Sequence, residues 1–449
     1  MAWPWAFPNL TIPEPVEGTK ESMNPIRRST LPHGLRVVTE HVPGARAFNI
    51  GVFVGVGSRD EGPGEHGASH FLEHVLFKGT PTRTAEEISA AVERFGGDLN
   101  AYTTREYTCF HARVLDDQAG TALDVLTDML SRSLVTATDL GTEREVILDE
   151  IAMHDDDPSE VAIEGVIAAL FDGTMLAPTV IGSSTSIRRM STQRVRDYWR
   201  RTYTSGRIVV CAVGDVDHDS LCAALADFDE ALTGPREAHR TPARPSARRP
   251  VRVRSNDLSQ TSVVLGFETF GNRDPRREAL ALLAVALGGG MSSRLFLEVR
   301  ERRALAYTID CSESAWSDAG LMTIDWQALP GRTAEIMDVV RTIVVDVREN
   351  GITADELDAA KGQLVGQSIL HYENPGSRMS RLGAAELAGE QRSLDEMLDA
   401  FHAVTLDEVN ALARDVLAPA PVISMAGAAA PRGAAHRLRE GWARGDIAH

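Results

Sequence analysis

The chain has 449 residues, more than one core usually holds, and this length favours two large domains. Hydrophobic residues make up 43% and charged residues 24%, a balance that excludes disordered, collagen-like and coiled-coil chains. The net charge of −18 argues against a nucleic-acid partner, because such a chain repels a phosphate backbone. No apolar run approaches the roughly 18 residues that cross a bilayer, so no membrane partner is expected.

The N-terminus and the cysteines both favour a cytoplasmic protein. Residues 1–22 carry four prolines and no basic residue before Lys20, a pattern that disfavours a signal peptide and predicts a disordered tail. Met23, just before the first segment with strand character, is a candidate native start. The four cysteines are too few and too widely spaced for a disulfide scaffold, so reduced and partly buried thiols are expected.

Hydrophobic patterns predict a mixed unit of strands and helices in the first half. β-Branched runs broken at Pro43-Gly44 indicate two strands joined by a turn. A helix opened by Thr84 runs to Phe95, where Gly96-Gly97 ends it. In chain order the predicted elements are two strands within 35–56, helices at 68–77 and 84–95, strands at 99–104 and 107–114, helices at 115–133 and 137–154, a strand at 207–213 and a helix at 218–228.

Residues 232–250 contain four prolines, many arginines and no apolar periodicity, and are predicted to be a linker. The order of elements then starts again, which indicates a diverged duplication and predicts domains at 23–231 and 251–449. The first helix of the second half has no histidine, so any chemistry is expected in the first half. The predicted elements there include strands at 251–255 and 261–268, a helix at 276–287 that ends at Gly288–Gly290, and a last strand at 421–425.

The segment GASHFLEHVLFKGT places His70, Glu73 and His74 on a helix whose other side chains are mostly apolar. At about 100° per residue the three side chains fall within about one third of the helix circumference. Burying an ionised glutamate beside two imidazoles costs several kcal/mol unless a divalent metal or an ion partner compensates. Histidines at i and i+4 suit zinc, and Glu73 can take a proton from water, as in an inverted zinc-protease motif. Two satisfied core histidines with an ion-paired Glu73 are the alternative.

A third metal ligand is sought on the helix TDLGTEREVILDEIAMHDDD. Glu143 and Glu150 are seven residues apart and share its apolar stripe, so both carboxylates face the core. His154 lies one turn beyond Glu150 on the same face. His66, four residues before His70, is also open as a ligand, although a structural or surface role is the commoner one for such histidines.

The stretches GSRDE, GASHFLEHVLFKGT, GGDLNAYTTREYT and EREVILDEI together resemble the pitrilysin/insulinase superfamily of zinc metallopeptidases. The branch that resembles the mitochondrial processing peptidases, with bacterial-type members, fits best, and the resemblance covers about residues 30–425. It implies that His70, His74 and Glu150 hold one Zn²⁺ ion per chain and that Glu73 is the general base. The spacing from His74 to Glu150 matches that of the family, and Glu143 matches an accessory glutamate that orients the ligands.

The same resemblance implies how a substrate is held. Asn100 and Ala101 match the strand edge on which the family pairs a peptide backbone. Arg300 and Tyr307 match a substrate-contacting element, in which an arginine holds a peptide carbonyl and a tyrosine hydroxyl stabilises the oxyanion. By residue type alone, Arg300 would be a solvated helix charge and Tyr307 a core aromatic. Gly288–Gly290 resembles a shortened form of the glycine-rich loop of the family.

The fold implied by the resemblance is α+β, with two homologous domains of mainly antiparallel sheet covered by helices around a peptide-binding cavity. The implied activity is endoproteolysis of extended peptides or unfolded proteins, with basic, presequence-like peptides as a candidate class. Because one sequence carries both the zinc residues and the Arg300/Tyr307 pair, a homodimer with shared sites is expected. A non-catalytic scaffold subunit and a peptide carrier without turnover are the competing functions.

Overall fold

The computed structural model describes residues 25–234, 240–246, 250–255, 259–428 and 432–444. The N-terminal tail and the candidate start Met23 lie outside these residues. The described residues form two β-sheets. The first contains β1 (Ile26–Thr30), β2 (Arg36–His41), β3 (Ala47–Val54), β4 (Asp98–Thr103), β5 (Thr108–Leu115) and β6 (Ile208–Gly214). The second contains β7 (Val251–Ser255), β8 (Thr261–Thr269), β9 (Thr308–Ala315), β10 (Gly320–Ala328) and β11 (Val422–Gly427).

Helices surround both sheets. Those of the first half are α1 (Ala68–Leu76), α2 (Ala85–Glu93), α3 (Ala119–Arg132), α4 (Ala137–Asp156), α5 (Pro158–Leu170), α6 (Ser184–Arg189), α7 (Thr192–Thr202), α8 (His218–Ala224) and α9 (Ala226–Ala231). Those of the second half are α10 (Arg277–Leu287), α11 (Arg294–Phe296), α12 (Thr333–Asn350), α13 (Ala354–Tyr372), α14 (Pro375–Ala388), α15 (Leu394–Ala403), α16 (Leu406–Leu417) and α17 (Arg432–Arg444).

Two predicted helices differ from the structure in extent. The helix predicted at 115–133 begins at Ala119, after a 3₁₀ turn over Asp116–Gln118. The Asp116 carboxylate there accepts a hydrogen bond from the N–H of the next residue, a local contact that competes with a helical start. The helix predicted at 218–228 divides at Leu225 (φ −90°, ψ 0°) into α8 and α9.

The two sheets repeat one topology. The strand order is β1-β2-β6-β3-β5-β4 in the first and β7-β11-β8-β10-β9 in the second. The pairs β2–β6 and β7–β11 are parallel, and the pairs that continue from β6 and β11 are antiparallel. Each strand of the first sheet except β1 therefore has a counterpart in the second, which confirms the predicted α+β fold of two homologous halves.

One face of each sheet packs against helices of its own half. In the first half, Val52 and Phe110 lie in one buried cluster with Leu72 of α1. In the second half, Leu265 of β8 lies in a buried cluster with Leu283 of α10. Full burial of such a side chain contributes about 1.5–3 kcal/mol, so this packing fixes α1 firmly on the first sheet.

The opposite face of each sheet is covered by a helix from the other half. On the first sheet, Met379 and Leu382 of α14 lie in a buried cluster with Phe53. On the second sheet, Val166 of α5 lies in a buried cluster with residues of β8 and β11. The approach is close, since a Cβ atom added at Gly383 would lie 2.1 Å from a ring carbon of Phe53. Each sheet therefore needs both halves of the chain to bury its two faces.

A buried ion-pair network also joins the halves. Nη1 of Arg59, whose side chain is 1% exposed, lies 2.6 Å from Oε1 of Glu106 and 2.7 Å from Oδ1 of Asp318. Arg240, in the segment predicted as a linker, lies 3.5 Å from the same Glu106 carboxylate. Ala243 belongs to the buried cluster beneath the second sheet. In the described part of the predicted linker, Arg240 and Ala243 thus pack against the two halves, and the linker role of 232–250 stays a prediction.

The four cysteines are free thiols, as predicted, and three of them are buried. Among the helices in the described ranges, none is both long and apolar enough to cross a bilayer. The domain limits at 23–231 and 251–449 stay a prediction.

Candidate metal centre

Helix α1 carries both histidines and the glutamate of the predicted motif. It begins after Gly67, whose φ is 87° and which offers no capping side chain. The Glu61 carboxylate acts as the cap, accepting hydrogen bonds from the N–H groups of Gly67 (2.9 Å) and Ser69 (2.8 Å). Burial raises the pKa of Glu61 to about 8, although these two N–H groups oppose the rise. Glu61 therefore fixes the start of the helix from the loop that precedes it.

Helix α4 packs against α1 and brings Glu150 to the two imidazoles. Nε2 of His70 lies 3.3 Å from Nε2 of His74. Oε2 of Glu150 lies 3.6 Å from the first of these nitrogens and 3.5 Å from the second. Donors bonded to one tetrahedral zinc ion at about 2.0–2.1 Å stand about 3.4 Å apart. The triangle of these three donor atoms, called the metal triangle below, therefore fits a zinc ion.

Glu143 lies behind His74 and outside the metal triangle. Its Oε2 is 3.0 Å from Nδ1 of His74, and its Oε1 is 2.6 Å from Nζ of Lys78. Because a carboxylate only accepts hydrogen bonds, this contact places the proton of His74 on Nδ1 and leaves Nε2 with a free lone pair. The Glu143 side chain is 5% exposed, and Lys78 compensates its buried charge.

His70 is half-buried, and its buried Nδ1 atom has no hydrogen-bond partner within the described structure. Burial lowers the pKa of His70 to about 3, and the neighbouring His74 lowers it further in the same direction. A neutral imidazole presents a lone pair, whereas two protonated rings at this separation would repel each other. The pair of rings is therefore arranged to receive a cation between them.

Glu73 lies beside the metal triangle and is half-buried. Burial raises its pKa, the Thr103 hydroxyl and His74 oppose this rise, and the Glu150 carboxylate adds to it. The hydroxyl of Thr103 donates a hydrogen bond to Oε2 of Glu73. A carboxyl group with a raised pKa accepts a proton more readily than an ordinary glutamate, as a general base must.

The two alternative histidine ligands lie outside the metal triangle. Nε2 of His66 is 3.1 Å from the carbonyl oxygen of Thr179. Nε2 of His154 is 3.5 Å from a carboxylate oxygen of Glu160. Two satisfied core histidines stay the alternative, and the arrangement favours a metal over it, because the imidazoles face each other and the Glu150 carboxylate.

Strand β4, at the edge of the first sheet, carries Asn100 and Ala101. Among the described residues β4 pairs with β5 alone, so its other side is open to an added strand. The N–H of Ala101 donates to the side-chain Oδ1 of Asn100 at 2.8 Å. Thr103 ends the same strand, and its hydrogen bond to Glu73 connects this open edge to the metal site.

Arg300 and Tyr307 lie together in the second half. Arg300 belongs to the π-helical segment Leu297–Glu301 that continues α11, and its Cζ lies 4.9 Å from the centre of the Tyr307 ring. Tyr307 is 75% exposed and therefore is not a core aromatic. Within the described structure, neither residue makes a hydrogen bond, ion pair or ring contact with the metal triangle or Glu73.

Known proteins resemble this chain over most of its length. The family model described as insulinase (peptidase family M16) matches residues 36–184, and the model described as the peptidase M16 inactive domain matches residues 189–364. A protein of Streptomyces coelicolor named an uncharacterized zinc protease is 41% identical over 413 residues, which cover 90% of this chain and 89% of that protein. A Mycobacterium tuberculosis protein of the same description is 43% identical over 396 residues, covering 87% and 90%.

The chain belongs to the insulinase family of zinc metallopeptidases.

Solved structures share the fold of this insulinase-family chain. A structure described as the peptidase M16 inactive domain from Pseudomonas fluorescens has a TM-score of 0.83 at 22% identity and covers 90% of this chain and 98% of its own. A structure described as a protease from Helicobacter pylori has a TM-score of 0.82 at 20% identity, covering 90% and 99%. At these sequence identities, the similarity to the two solved structures establishes the fold alone.

Three residues that support the insulinase-family site were not predicted from the sequence. They are Thr103, which contacts Glu73, Lys78, which contacts Glu143, and Glu61, which caps α1. Thr103 and Ala101 are two positions apart on β4 and so share a face of the strand. Once β4 is recognised, this alternation is the signal that could have placed Thr103 beside α1. Lys78 and Glu61 lie in loops, where no periodicity indicates a direction.

Proposed function

We propose that the chain is a zinc-dependent metalloendopeptidase of the processing-peptidase type, which hydrolyses extended peptides. The observation that carries this proposal is the metal triangle, with edges of 3.3, 3.5 and 3.6 Å, next to Glu73. Two imidazoles and one carboxylate are a donor set that catalytic zinc sites use, with a further coordination position left for substrate or water.

In this proposal His70, His74 and Glu150 hold one zinc ion per chain. When bound, zinc supplies the Lewis acidity that polarises the scissile carbonyl. Glu73 accepts a proton from the attacking water and then gives it to the leaving amine. Glu143 keeps His74 in the tautomer whose Nε2 faces the metal. Each role belongs to a residue whose contacts already favour it.

The proposed substrates are extended peptides or unfolded proteins of the cytoplasm, the compartment that free thiols favour. The open edge of β4 at Asn100 and Ala101 can pair with a peptide backbone. Such pairing uses main-chain hydrogen bonds and therefore tolerates many sequences. The net charge of −18 favours basic, presequence-like peptides among them.

Zinc content and cleavage together test this function. The purified chain, loaded with zinc, should contain about one zinc ion per chain and should cleave members of an unbiased peptide library, as read by mass spectrometry. A chelator should stop cleavage, and added zinc should restore it. Zinc without hydrolysis would instead indicate a peptide carrier, and absence of both would indicate a scaffold subunit.

We further propose that the enzyme is a homodimer with shared sites. Arg300 and Tyr307 are accessible, lie together and do not contact the metal triangle of their own chain. In a symmetric pair the same surface of each copy can serve the site of the other. The arginine of the partner would hold a peptide carbonyl, and its tyrosine hydroxyl would stabilise the oxyanion.

Mixing two inactive variants tests the shared site. Chains carrying Glu73→Gln and chains carrying Arg300→Ala with Tyr307→Phe should each cleave poorly as pure dimers. When they are co-expressed in equal amounts, half of the dimers are mixed and each mixed dimer has one intact site, so about a quarter of the normal activity should return. No recovery in a verified mixed dimer, or full activity of a monomer at high dilution, would contradict the proposal.

A further inference from the structure

The Glu73 carboxylate is held by one side chain of β4, the strand on which a peptide is proposed to pair. Within the described ranges, its hydrogen-bond donor is the hydroxyl of Thr103 on β4. Glu73 is separated from Thr103 by 30 positions in the chain, and α1 packs beside β4. The contact therefore joins the motif helix to the first sheet at the point where the general base sits.

The position of Thr103 is set by the sheet. Thr103 faces Thr108 across the β4–β5 ladder, and their hydroxyl oxygens lie 3.4 Å apart. Thr108 is fully buried and donates its own hydrogen bond to the carbonyl oxygen of Val56 at 3.0 Å. Since each hydroxyl has one proton and both protons are already donated, the 3.4 Å contact is one of packing, and the pairing of β4 with β5 holds Thr103 in place.

The hydrogen bond also distinguishes the two oxygens of Glu73. Thr103 donates to Oε2, and no hydrogen bond to Oε1 is found within the described residues, so Oε1 is the freer oxygen for a proton. Ala101, on whose backbone a peptide would pair, is two residues from Thr103 on the same strand. The strand β4 thus positions both the peptide and the general base. This matters because small errors in the distance between reacting groups have large effects on the rate.

We propose that Thr103 is a positioning residue that fixes the orientation of Glu73 relative to a peptide bound along β4. This inference rests on the proposed function, since it assigns Thr103 a role through the general base. It concerns the catalytic step and not metal binding, because Thr103 makes no hydrogen bond to His70, His74 or Glu150 within the described structure.

The test compares a substitution that removes the hydroxyl donor with one that keeps it. Thr103→Val keeps the β-branched shape that a strand favours and removes the donor, whereas Thr103→Ser keeps the donor. Thr103→Val should lower kcat about tenfold or more, as expected for loss of a hydrogen bond to a charged group, with KM and zinc content nearly unchanged. Thr103→Ser should restore most of the kcat. Thr121→Val, in α3, is the matched control and should retain wild-type kinetics.

Several outcomes would overturn the inference. These are an unchanged kcat for Thr103→Val, a change confined to KM or zinc content, and a Thr103→Ser variant as slow as Thr103→Val. Should Thr103→Val fail to fold, Thr103→Ala carries the same comparison. Glu73→Gln is measured in parallel. If Glu73→Gln still cleaves, the role of Glu73 as the base and this inference both fail. If Glu73→Gln is inactive while Thr103→Val cleaves normally, only this inference fails.

Discussion

Replacing Glu73 with glutamine should lower kcat for peptide cleavage by about a hundredfold or more, because general-base catalysis contributes roughly 10²–10⁴-fold and an amide cannot take up the proton. Glutamine has nearly the same shape and still offers an oxygen to the Thr103 hydroxyl, so the site should stay in place. Since Glu73 is outside the metal triangle, zinc content should remain close to that of the unmodified chain.

The measurement pairs zinc content per chain with the initial rate on a quenched peptide at saturating concentration. Glu145→Gln is the matched control, because Glu145 lies on α4 with its side chain exposed and should show normal zinc and normal rate. A Glu73→Gln variant that carries zinc and cleaves at the unmodified rate would contradict the assigned role.

Replacing Glu150 with alanine should remove most of the bound zinc and, with it, cleavage. Glu150 supplies one of three donors, and two imidazoles alone hold zinc much more weakly than a complete set. The Glu150 side chain is 39% exposed, so its loss should change the thermal stability of the metal-free chain little. Equal melting temperatures of the metal-free variant and the metal-free unmodified chain would separate loss of metal from loss of fold.

A graded comparison strengthens this test. Glu143→Gln should weaken zinc binding by about ten- to a hundredfold, the usual effect of removing a partner that orients a ligand. The zinc affinity is therefore expected to be highest for Glu145→Gln, lower for Glu143→Gln and lowest for Glu150→Ala. Competition with a chelating dye measures this order. Retention of full zinc affinity by Glu150→Ala would refute its place in the metal triangle.

The α1 part of the site could be predicted from the sequence because helical periodicity puts His70, Glu73 and His74 on one side of a single element. The choice between Glu143 and Glu150 could not be made in this way. They lie about 20° apart on the helix wheel, so both face the core equally. Only resemblance to a known family favoured Glu150. In the structure they bracket His74, Glu143 at Nδ1 and Glu150 at Nε2, because α4 passes along the ring.

Contacts between distant parts of the chain could not be predicted from the sequence. The Thr103 bond to Glu73, and the cover that α14 gives to the first sheet, depend on how separate elements dock. Periodicity describes one element at a time and gives no information about its partner. For the same reason, the arginines and prolines of 232–250 indicated a linker but gave no information that Arg240 joins a buried network.

The covering of each sheet by a helix from the opposite half has a consequence for how a substrate reaches the metal. Swinging the halves widely apart would strip α14 from the first sheet and α5 from the second, and would expose apolar surface that water disfavours. The packing of α14 and α5 therefore opposes a wide separation of the two halves. In the function proposed above, a substrate would therefore reach the metal as an extended chain that pairs alongside β4.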